Sequence, residues 1–213
     1  MKILITGGTG YIGSHTCVQL IEKGWHPVIL DSLVNSKVSV LDRIEQITGH
    51  RPPFIKADVR DVDVVSTVLK DHAIDAVIHF AGLKAVGDSV EQPLRYYDNN
   101  VRGSKLLFEA MQKCGVKTLV FSSSATVYGN SSAPPWNEQV PTSPANPYGR
   151  SKLLVDRFMA DVAAADSSCS LTSLRYFNPV GAHPSGLMGE DPQGTPNNLM
   201  PFLAQVAVGR RET

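Results

Sequence analysis

Residues 1–13 read MKILITGGTGYIG, an apolar run that leads into closely spaced glycines and then into a helix-like segment. A tight turn between a strand and a helix needs glycine wherever a Cβ would block the backbone or an approaching phosphate. The start of the helix offers free N–H groups and partial positive charge to an anion. Two spacings satisfy this geometry, Gly7, Gly10 and Gly13 or Gly8, Gly10 and Gly13. The stretch predicts a dinucleotide-binding turn, with an ordinary glycine-rich turn as the alternative.

A second apolar run, residues 26–31, ends at Asp31, about twenty residues after the glycines. In a dinucleotide-binding fold an acid at this place accepts hydrogen bonds from the adenosine ribose and repels a 2′-phosphate. Asp31 therefore favours NAD over NADP. The alternative is that its carboxylate only caps the next turn.

The bulk composition narrows the possible function classes. The 213 residues hold 20 basic and 20 acidic side chains, so no net charge favours nucleic acid or an anionic membrane surface. Three cysteines, Cys17, Cys114 and Cys169, lie too far apart for a zinc site or a disulfide framework and are expected to be small buried filler. The sequence shows neither a signal-peptide pattern nor an apolar run that could cross a bilayer. We expect a cytoplasmic protein without a metal, a nucleic-acid partner or a membrane partner.

Strand-like and helix-like runs alternate along most of the chain. The strand candidates are residues 2–6, 26–31, 53–57, 76–82, 118–122 and 171–177. Several are almost continuously apolar, as strands covered on both faces are, so the pattern predicts an α/β fold with a doubly wound parallel sheet. The longest helix candidates are residues 97–113 and 148–165. The proline-rich stretch 131–147 between them is expected to be a surface loop, either a lid or a connection, and an apolar segment follows at 198–208.

A tyrosine and a lysine four residues apart begin the second long helix. Tyr148 and Lys152 share a helix face, and Ser124 leaves the end of the preceding strand. A nearby ammonium and a cationic ring would lower the pKa of the Tyr148 phenol from about 10 toward neutrality, which makes the phenol a usable base. Ser124 could relay or orient the proton. A surface Tyr/Lys pair is the alternative.

Together these segments resemble the UDP-galactose 4-epimerases, members of the extended short-chain dehydrogenase/reductase family. The resemblance runs from end to end of the chain and rests on Gly7, Gly10 and Gly13, Asp31, residues 80–87, 97–100 and 122–129, Tyr148 with Lys152, and residues 175–182. Residues 81–87, together with 196–201, resemble the epimerases more specifically than other nucleotide-sugar enzymes.

The resemblance implies NAD as cofactor and a UDP-sugar as substrate. Around the cofactor it implies Tyr11 and Ile12 at the pyrophosphate, Asp31, Ser32, Leu33, Val34, Asn35 and Ser36 at the adenosine ribose, Asp58 and Val59 at the adenine, Phe80, Ala81, Gly82, Leu83, Lys84 and Asn99 along its length, Lys152 on the nicotinamide ribose, and Phe177 beside the ring. Around the substrate it implies Lys84, Ser124, Tyr148, Asn178 and Asn198.

Four of these residues have plain structural alternatives. Asp58 could be an exposed turn acid and Asn99 a helix N-cap. Lys84 and Asn198 could be ordinary solvated side chains.

The implied reaction is an oxidation followed by its reversal. Tyr148 takes the proton of the sugar 4-OH while the C4 hydride moves to NAD. The bound 4-keto sugar then rotates within the pocket, and the same hydride returns to the opposite face of C4. A sugar 4,6-dehydratase is a rival, but it needs carboxylates where this chain has Ser124, Ala125 and Thr126. A simple NAD-dependent dehydrogenase is another rival.

Chains of the resembled family are markedly longer than this one. The resemblance therefore implies a Rossmann NAD-binding domain at residues 1–177 and a truncated substrate-binding domain at 178–213, with a hydrophobic sheet edge left beside residues 171–177. A catalytically weak NAD-binding remnant is the resulting alternative. Family members are commonly homodimers, with the two long helices forming the interface.

Overall fold

Six parallel strands form a single sheet in the computed structural model, which describes residues 1–130, 133–194, 196 and 198–212. The strands are β1 (Lys2–Thr6), β2 (His26–Asp31), β3 (Phe54–Lys56), β4 (Ala76–His79), β5 (Thr118–Ser122) and β6 (Ser170–Leu174). Their order across the sheet is β3-β2-β1-β4-β5-β6. The chain therefore reverses its winding direction between β1 and β4, where ligands bind in doubly wound sheets.

Helices connect the strands and cover both faces of the sheet. They are α1 (Tyr11–Glu22), α2 (Val40–Thr48), α3 (Val62–Asp71), α4 (Val86–Glu91), α5 (Pro93–Tyr96), α6 (Gly103–Cys114), α7 (Pro147–Ala165) and α8 (Leu199–Ala207). Strand β1 shows how the two faces are filled, because successive side chains of a strand point to opposite sides. Leu4 packs into a core with α3, α6 and α7, whereas Ile3 and Ile5 pack into a second core with α1 and α2. The predicted doubly wound α/β fold is confirmed.

Several predicted element bounds are wrong. The third strand, predicted at 53–57, is shorter, and the fourth ends at His79 instead of residue 82. The last strand begins at Ser170 and ends at Leu174, three residues before the predicted end. Single backbone bonds continue just past two of these strands, from the N–H of Ala57 to the carbonyl of Asp31 at 3.2 Å and from the N–H of Phe80 to the carbonyl of Thr6 at 2.9 Å.

The predicted helix 97–113 consists of two different helices. A π-helix spans Tyr97–Arg102, and α6 follows from Gly103 to Cys114. Asn100, within the wider turn, is buried and bonds to residues outside the helix. Such contacts favour a widened turn over the regular helical ladder.

The proline-rich stretch forms a loop over residues 133–146, and Pro147, the last residue of the predicted loop, already begins α7. Ser131 and Ser132, which begin the predicted loop 131–147, lie outside the described residues, as does Asn197 of the segment 196–201. Trp136 and Val140 pack against Tyr128 and Leu153, so this part of the loop is anchored to the protein. Of the three cysteines, Cys17 is buried, whereas Cys114 and Cys169 are half-buried and thus only partly fit the prediction of buried filler.

Candidate functional site

A cleft of about 760 Å³ opens at the carboxyl ends of the strands. Residues from the turns after β1, β2, β4 and β5 line it, together with Tyr148 and Lys152 of α7 and a segment after β6. Every residue predicted to bind cofactor or substrate lines this cleft except Leu33. The structure therefore brings together residues that span most of the chain.

The glycine turn forms the floor of the cleft at the point where the sheet changes direction. Gly7 has a φ of +71°, and a Cβ there would lie 2.7 Å from the backbone nitrogen of Ala81. A Cβ on Gly13 would lie 2.3 Å from the carbonyl oxygen of Gly7. Gly10 is the N-cap of α1 and offers no side-chain cap, so the first N–H groups of the helix face the cleft without an internal acceptor. The turn is thus shaped to receive an anion.

Asp31 organises the loop after β2. One carboxylate oxygen accepts from the backbone N–H of Thr9 at 3.1 Å, and the other accepts from the N–H of Leu33 at 2.9 Å and the Ser36 hydroxyl at 3.1 Å. The turn-capping role considered for Asp31 is therefore present, and the carboxylate also lines the cleft. Leu33, which adopts a φ of +60°, contributes its N–H to this turn and does not reach the cleft.

Asp58 lies at the far end of the cleft beside Val59. Its carboxylate accepts from Arg60 through the backbone N–H at 2.8 Å and through the guanidinium at 2.6 Å. The guanidinium of Arg60 holds the pKa of the Asp58 carboxyl below its usual value. Arg60 also pairs with Asp98 of the π-helix. The alternative of a turn acid holds in part, since the Asp58 carboxylate accepts within the turn, but Asp58 is half-buried and belongs to an ion-pair network.

Two asparagines of the π-helix connect the end of β4 to α7. Asn99 lines the cleft within the π-helix and is not an N-cap. The Asn100 side chain accepts from the N–H of Leu83 at 2.8 Å, and donates to the carbonyl of Leu83 at 3.0 Å and to the Ser151 hydroxyl at 3.1 Å. Asn100 was not among the predicted site residues, although its position beside Asn99 in residues 97–100 was a usable signal.

Helix α7 carries the tyrosine and the lysine into the cleft. Asn146 caps the helix by accepting from the N–H of Gly149 at 2.8 Å. A Cβ on Gly149 would lie 2.9 Å from the carbonyl oxygen of Thr126, so glycine allows the helix to approach the turn after β5. Lys152 is buried, donates to the carbonyl of Ser122 at 2.7 Å, and lies 5.9 Å from the centroid of the Tyr148 ring.

Ser124 and the Tyr148 phenol both line the cleft. Ser124 follows β5 and caps a single 3₁₀ turn, Ala125–Val127. Its hydroxyl oxygen accepts from the N–H of Thr126 at 3.2 Å and from the Thr126 hydroxyl at 2.9 Å. The structure thus brings Tyr148, Lys152 and Ser124 to one wall of the cleft, as predicted.

The titration of this wall differs from the prediction for Tyr148. Burial raises the pKa of the Tyr148 phenol, although the hydrogen bond from Ser124 opposes that rise. Burial also lowers the pKa of Lys152 to about 8, against the opposing effect of Asp156. The expected lowering of the Tyr148 pKa by Lys152 is therefore not found in the protein by itself, because desolvation outweighs it.

A segment after β6, residues 187–193, borders the cleft and bonds to the loops after β2 and β4; we call it the crossing segment. The Lys37 ammonium pairs with the carboxylate of Asp191 at 2.8 Å. One carboxylate oxygen of Glu190 accepts from Lys84 at 2.9 Å and from Asn198 at 2.7 Å. Lys84 is half exposed at its side chain, as the alternative of a solvated side chain expects, whereas Asn198 is half-buried. Glu190, Asp191 and Lys37 were missed by sequence reasoning, because charged residues this distant carry no local signal.

Phe177 and Asn178, which follow β6, also border the cleft. The Phe177 ring stacks on Trp136 with 6.0 Å between centroids, and its side chain remains 60% exposed. Asn178 lines the cleft.

Within residues 1–130, 133–194, 196 and 198–212, no group of three histidine, cysteine or acidic side chains could hold a metal ion. Across the same residues, no helix is long and apolar enough to cross a membrane.

Comparisons with known proteins agree on one family. The sequence profile of the NAD dependent epimerase/dehydratase family matches residues 3–213. A UDP-glucose 4-epimerase of Yersinia pestis is 63% identical over 100% of this chain and 63% of its own length, and one of Bacillus subtilis is 55% identical over 100% of this chain and 62% of its own. The chain thus spans less than two thirds of the curated relatives that it matches.

Solved structures that resemble this chain are also UDP-glucose 4-epimerases. A UDP-glucose 4-epimerase from Stenotrophomonas maltophila with bound NAD and formylated UDP-arabinopyranose superposes with a TM-score of 0.96 at 55% identity, over 99% of this chain and 63% of that one. One from Bifidobacterium longum in complex with NAD+ and UDP superposes with a TM-score of 0.97 at 49% identity, over 100% of this chain and 64% of that one.

Proposed function

The chain belongs to the NAD-dependent epimerase/dehydratase family, and we propose that it binds NAD and interconverts UDP-galactose and UDP-glucose, a step of galactose metabolism, by transient oxidation at sugar C4. The observation that carries this proposal is the convergence of Tyr148, Ser124 and Lys152 in the cleft that the glycine turn begins. The similarity to UDP-glucose 4-epimerases supports it further.

The residues of the cleft fit NAD. The N-terminus of α1 offers Tyr11 and Ile12 to the pyrophosphate, and the carboxylate of Asp31 suits a ribose with free hydroxyls better than one with a 2′-phosphate. The buried hydroxyl of Ser123, which lines the cleft, has no hydrogen-bond partner among the described residues and is suited to a bound polar group. We assign the remaining cofactor contacts to the residues at 32–36, 58–59 and 80–84, and to Asn99, Lys152 and Phe177.

The catalytic wall supplies the proton chemistry. NAD, when bound, accepts a hydride from C4 of the sugar and later returns it. Tyr148 accepts the proton of the 4-hydroxyl, and its anion is stabilised by the hydrogen bond from Ser124 and by the positive charge of Lys152. Because the pKa of Lys152 is about 8, its ammonium is mostly charged at neutral pH. The carbonyl of Ser122 holds that ammonium in place.

The substrate lies in our proposal between the catalytic wall and the segment after β6. Asn178 and Asn198 would bind the sugar nucleotide, with Lys84 at the junction between cofactor and substrate. We assign residues 1–177 to an NAD-binding domain and 178–213 to part of a substrate-binding domain. Net elimination of water is disfavoured because Ser124, Ala125 and Thr126 carry no carboxylate for it.

The test is an assay of the purified 213-residue chain with UDP-galactose and NAD. We expect UDP-glucose to form, Tyr148→Phe to abolish it, and the matched Tyr97→Phe to retain it, since Tyr97 lies outside the cleft. NAD binding without turnover would leave an NAD-binding protein, and release of NADH would favour a simple dehydrogenase. A wild-type chain that binds no NAD would overturn the proposal.

We further propose a cytoplasmic homodimer. We assign the interface to the two long helices, because the π-helix that begins the first of them contacts α7, and Leu154 of α7 is 42% exposed. Sedimentation equilibrium is the test: a dimer that Leu154→Lys converts to a monomer supports the assignment, and a wild-type monomer refutes it.

A further inference from the structure

The loop after β2 brings charges of both signs to the cleft. Asp31 ends the strand, Lys37 and Arg43 follow it in the chain, and all three line the cleft. Three hydrogen bonds from neighbouring turns already engage the Asp31 carboxylate. An acid at this place favours a ribose with free hydroxyls, whereas a basic side chain nearby accommodates the 2′-phosphate of NADP. Asp31 by itself therefore does not decide between the two coenzymes.

The crossing segment bonds to this loop at two adjacent residues. The Ser36 hydroxyl donates to Asp31 at 3.1 Å, and the Ser36 carbonyl accepts from the side-chain amide of Gln193 at 3.3 Å. The ammonium of the next residue, Lys37, donates to the carboxylate of Asp191 at 2.8 Å. The crossing segment thus brings a second carboxylate to the loop that Asp31 organises.

Asp191 offsets one of the two cations of the loop. The hydrogen bond from Lys37 holds the pKa of the Asp191 carboxyl below its usual value, against the opposing effect of burial. Arg43 instead donates to the backbone carbonyl of Leu187 at 3.0 Å, which is a neutral acceptor. A phosphate that approached Lys37 would have to displace a carboxylate that carries charge of the same sign.

We propose that Asp191 is a specificity-determining residue for the coenzyme: its carboxylate occupies the Lys37 ammonium and repels a 2′-phosphate, so that discrimination against NADP comes from the crossing segment as well as from Asp31. The inference rests on the NAD binding proposed above. A phosphate monoester carries up to about two negative charges near neutral pH, so it interacts strongly with a nearby charge. A free 2′-hydroxyl carries no charge, so the Asp191 carboxylate affects NAD far less.

The test measures the Kd values of NADH and NADPH by nicotinamide fluorescence. It uses the purified 213-residue chain, freed of bound nucleotide, at one low salt concentration. Asp191→Asn removes the charge and keeps the shape, and we expect it to tighten NADPH relative to NADH by about fivefold. A general loosening of the cleft would weaken both coenzymes alike and cancels in the ratio of the two Kd values. An unchanged ratio, or NADPH binding that stays undetectable in Asp191→Asn, overturns the inference.

Two further variants separate the Lys37 pair from a general change of charge. Lys37→Met in the Asp191→Asn background should remove most of the gain, because the freed ammonium is then missing. A gain that survived this substitution would overturn the role of the pair. Asp42→Asn is the matched control, since Asp42 lies on α2 outside the cleft and pairs with Arg51. It should leave the ratio unchanged, and a gain equal to that of Asp191→Asn would contradict the inference.

The same titrations distinguish failure of this inference from failure of the proposed function. A wild-type chain that binds neither NADH nor NADPH refutes both. Binding of NADH with a ratio that Asp191→Asn does not change refutes the role of Asp191 alone.

Discussion

The glycine turn and the crossing segment border the same cleft and are built in opposite ways. The turn relies on close backbone packing, with a virtual Cβ on Gly13 only 2.3 Å from a carbonyl oxygen. The crossing segment relies on side chains distant in sequence, such as the exposed pair of Lys37 and Asp191. Backbone packing leaves no room for adjustment, whereas exposed ion pairs are weak and screened by salt. We therefore expect the glycine turn to be the rigid side of the cleft and the crossing segment to be its releasable side, which can detach from the loops that it bonds to.

The largest effect should come from the rigid side. Gly13→Ala places a methyl group against the Gly7 carbonyl, and we expect a loss of about 3 kcal/mol of folding stability together with loss of NAD binding. Urea unfolding and an NAD titration measure both. Gly87→Ala is the matched control, since a Cβ there meets nothing within 4 Å. Equal unfolding midpoints for the two variants would show that the turn is not rigid.

Lowering the pH should also reduce folding stability through the rigid side first. His79, at the end of β4, is fully buried between the hydroxyls of Thr6 at 2.6 Å and Ser104 at 2.9 Å. Burial, assisted by the charge of Lys152, lowers the pKa of His79 to about 3 from 6.5. Below pH 6.5 the unfolded chain binds a proton that the folded chain does not, so stability falls as the pH drops toward 3, by up to about 1.4 kcal/mol per pH unit.

The measurement is the unfolding free energy at several pH values below neutrality. His79→Gln should flatten the dependence, and His50→Gln, at an exposed histidine, should leave it unchanged. A wild-type slope equal to that of His79→Gln would contradict this account.

A smaller effect is expected where the crossing segment is partly buried. Glu190 is 11% exposed at its side chain and bonds to Lys84 and Asn198 through one oxygen. Glu190→Ala removes both bonds and should cost about 1–2 kcal/mol, while Glu190→Gln keeps an acceptor and should cost less than half of that. Thermal unfolding of the two variants measures which substitution costs more stability. If glutamine proved as costly as alanine, the hydrogen bond to Asn198 would not matter.

The smallest effect belongs to the exposed pair. Asp191→Asn should cost about 0.5 kcal/mol or less in stability, because both partners are more than half exposed. NAD release should be faster in this variant, and about 1 M salt should speed release in wild type to the same rate. Stopped-flow displacement of NAD measures this, with Glu109→Gln, which breaks the surface pair to Lys105, as the control. If NAD release from wild type did not depend on salt, the crossing segment would not be the releasable side of the cleft.

The sequence could predict what depends on local pattern. The glycine turn, the alternating strands and the Tyr148/Lys152 pair each carry a recognisable spacing, and the structure brings these residues to one cleft. Residues that depend on a partner more than a hundred positions away left no such pattern. Lys37 forms its ion pair with Asp191, and Lys84 forms its ion pair with Glu190, only after the chain has folded.

Two other differences between the sequence predictions and the structure have local physical causes that a sequence pattern does not reveal. The pKa of Tyr148 depends on how deeply the phenol is buried, which spacing to Lys152 does not reveal. Leu33 falls inside a predicted ligand-binding run, yet its backbone N–H is taken by the Asp31 carboxylate. A run of binding residues can thus include one that only shapes the turn.

The π-helix at Tyr97–Arg102 has a consequence for how this chain could change its length. A π turn holds one residue more than an α turn, so a single deletion there would restore a regular helix without interrupting it. Because the wide turn absorbs the extra residue, the segments on either side would keep nearly the same rotation after such a deletion. What would be lost is the widened turn itself, which places Asn99 at the cleft and the Asn100 side chain against Leu83. The extra residue therefore serves the cleft, while α6 keeps its buried face against the core.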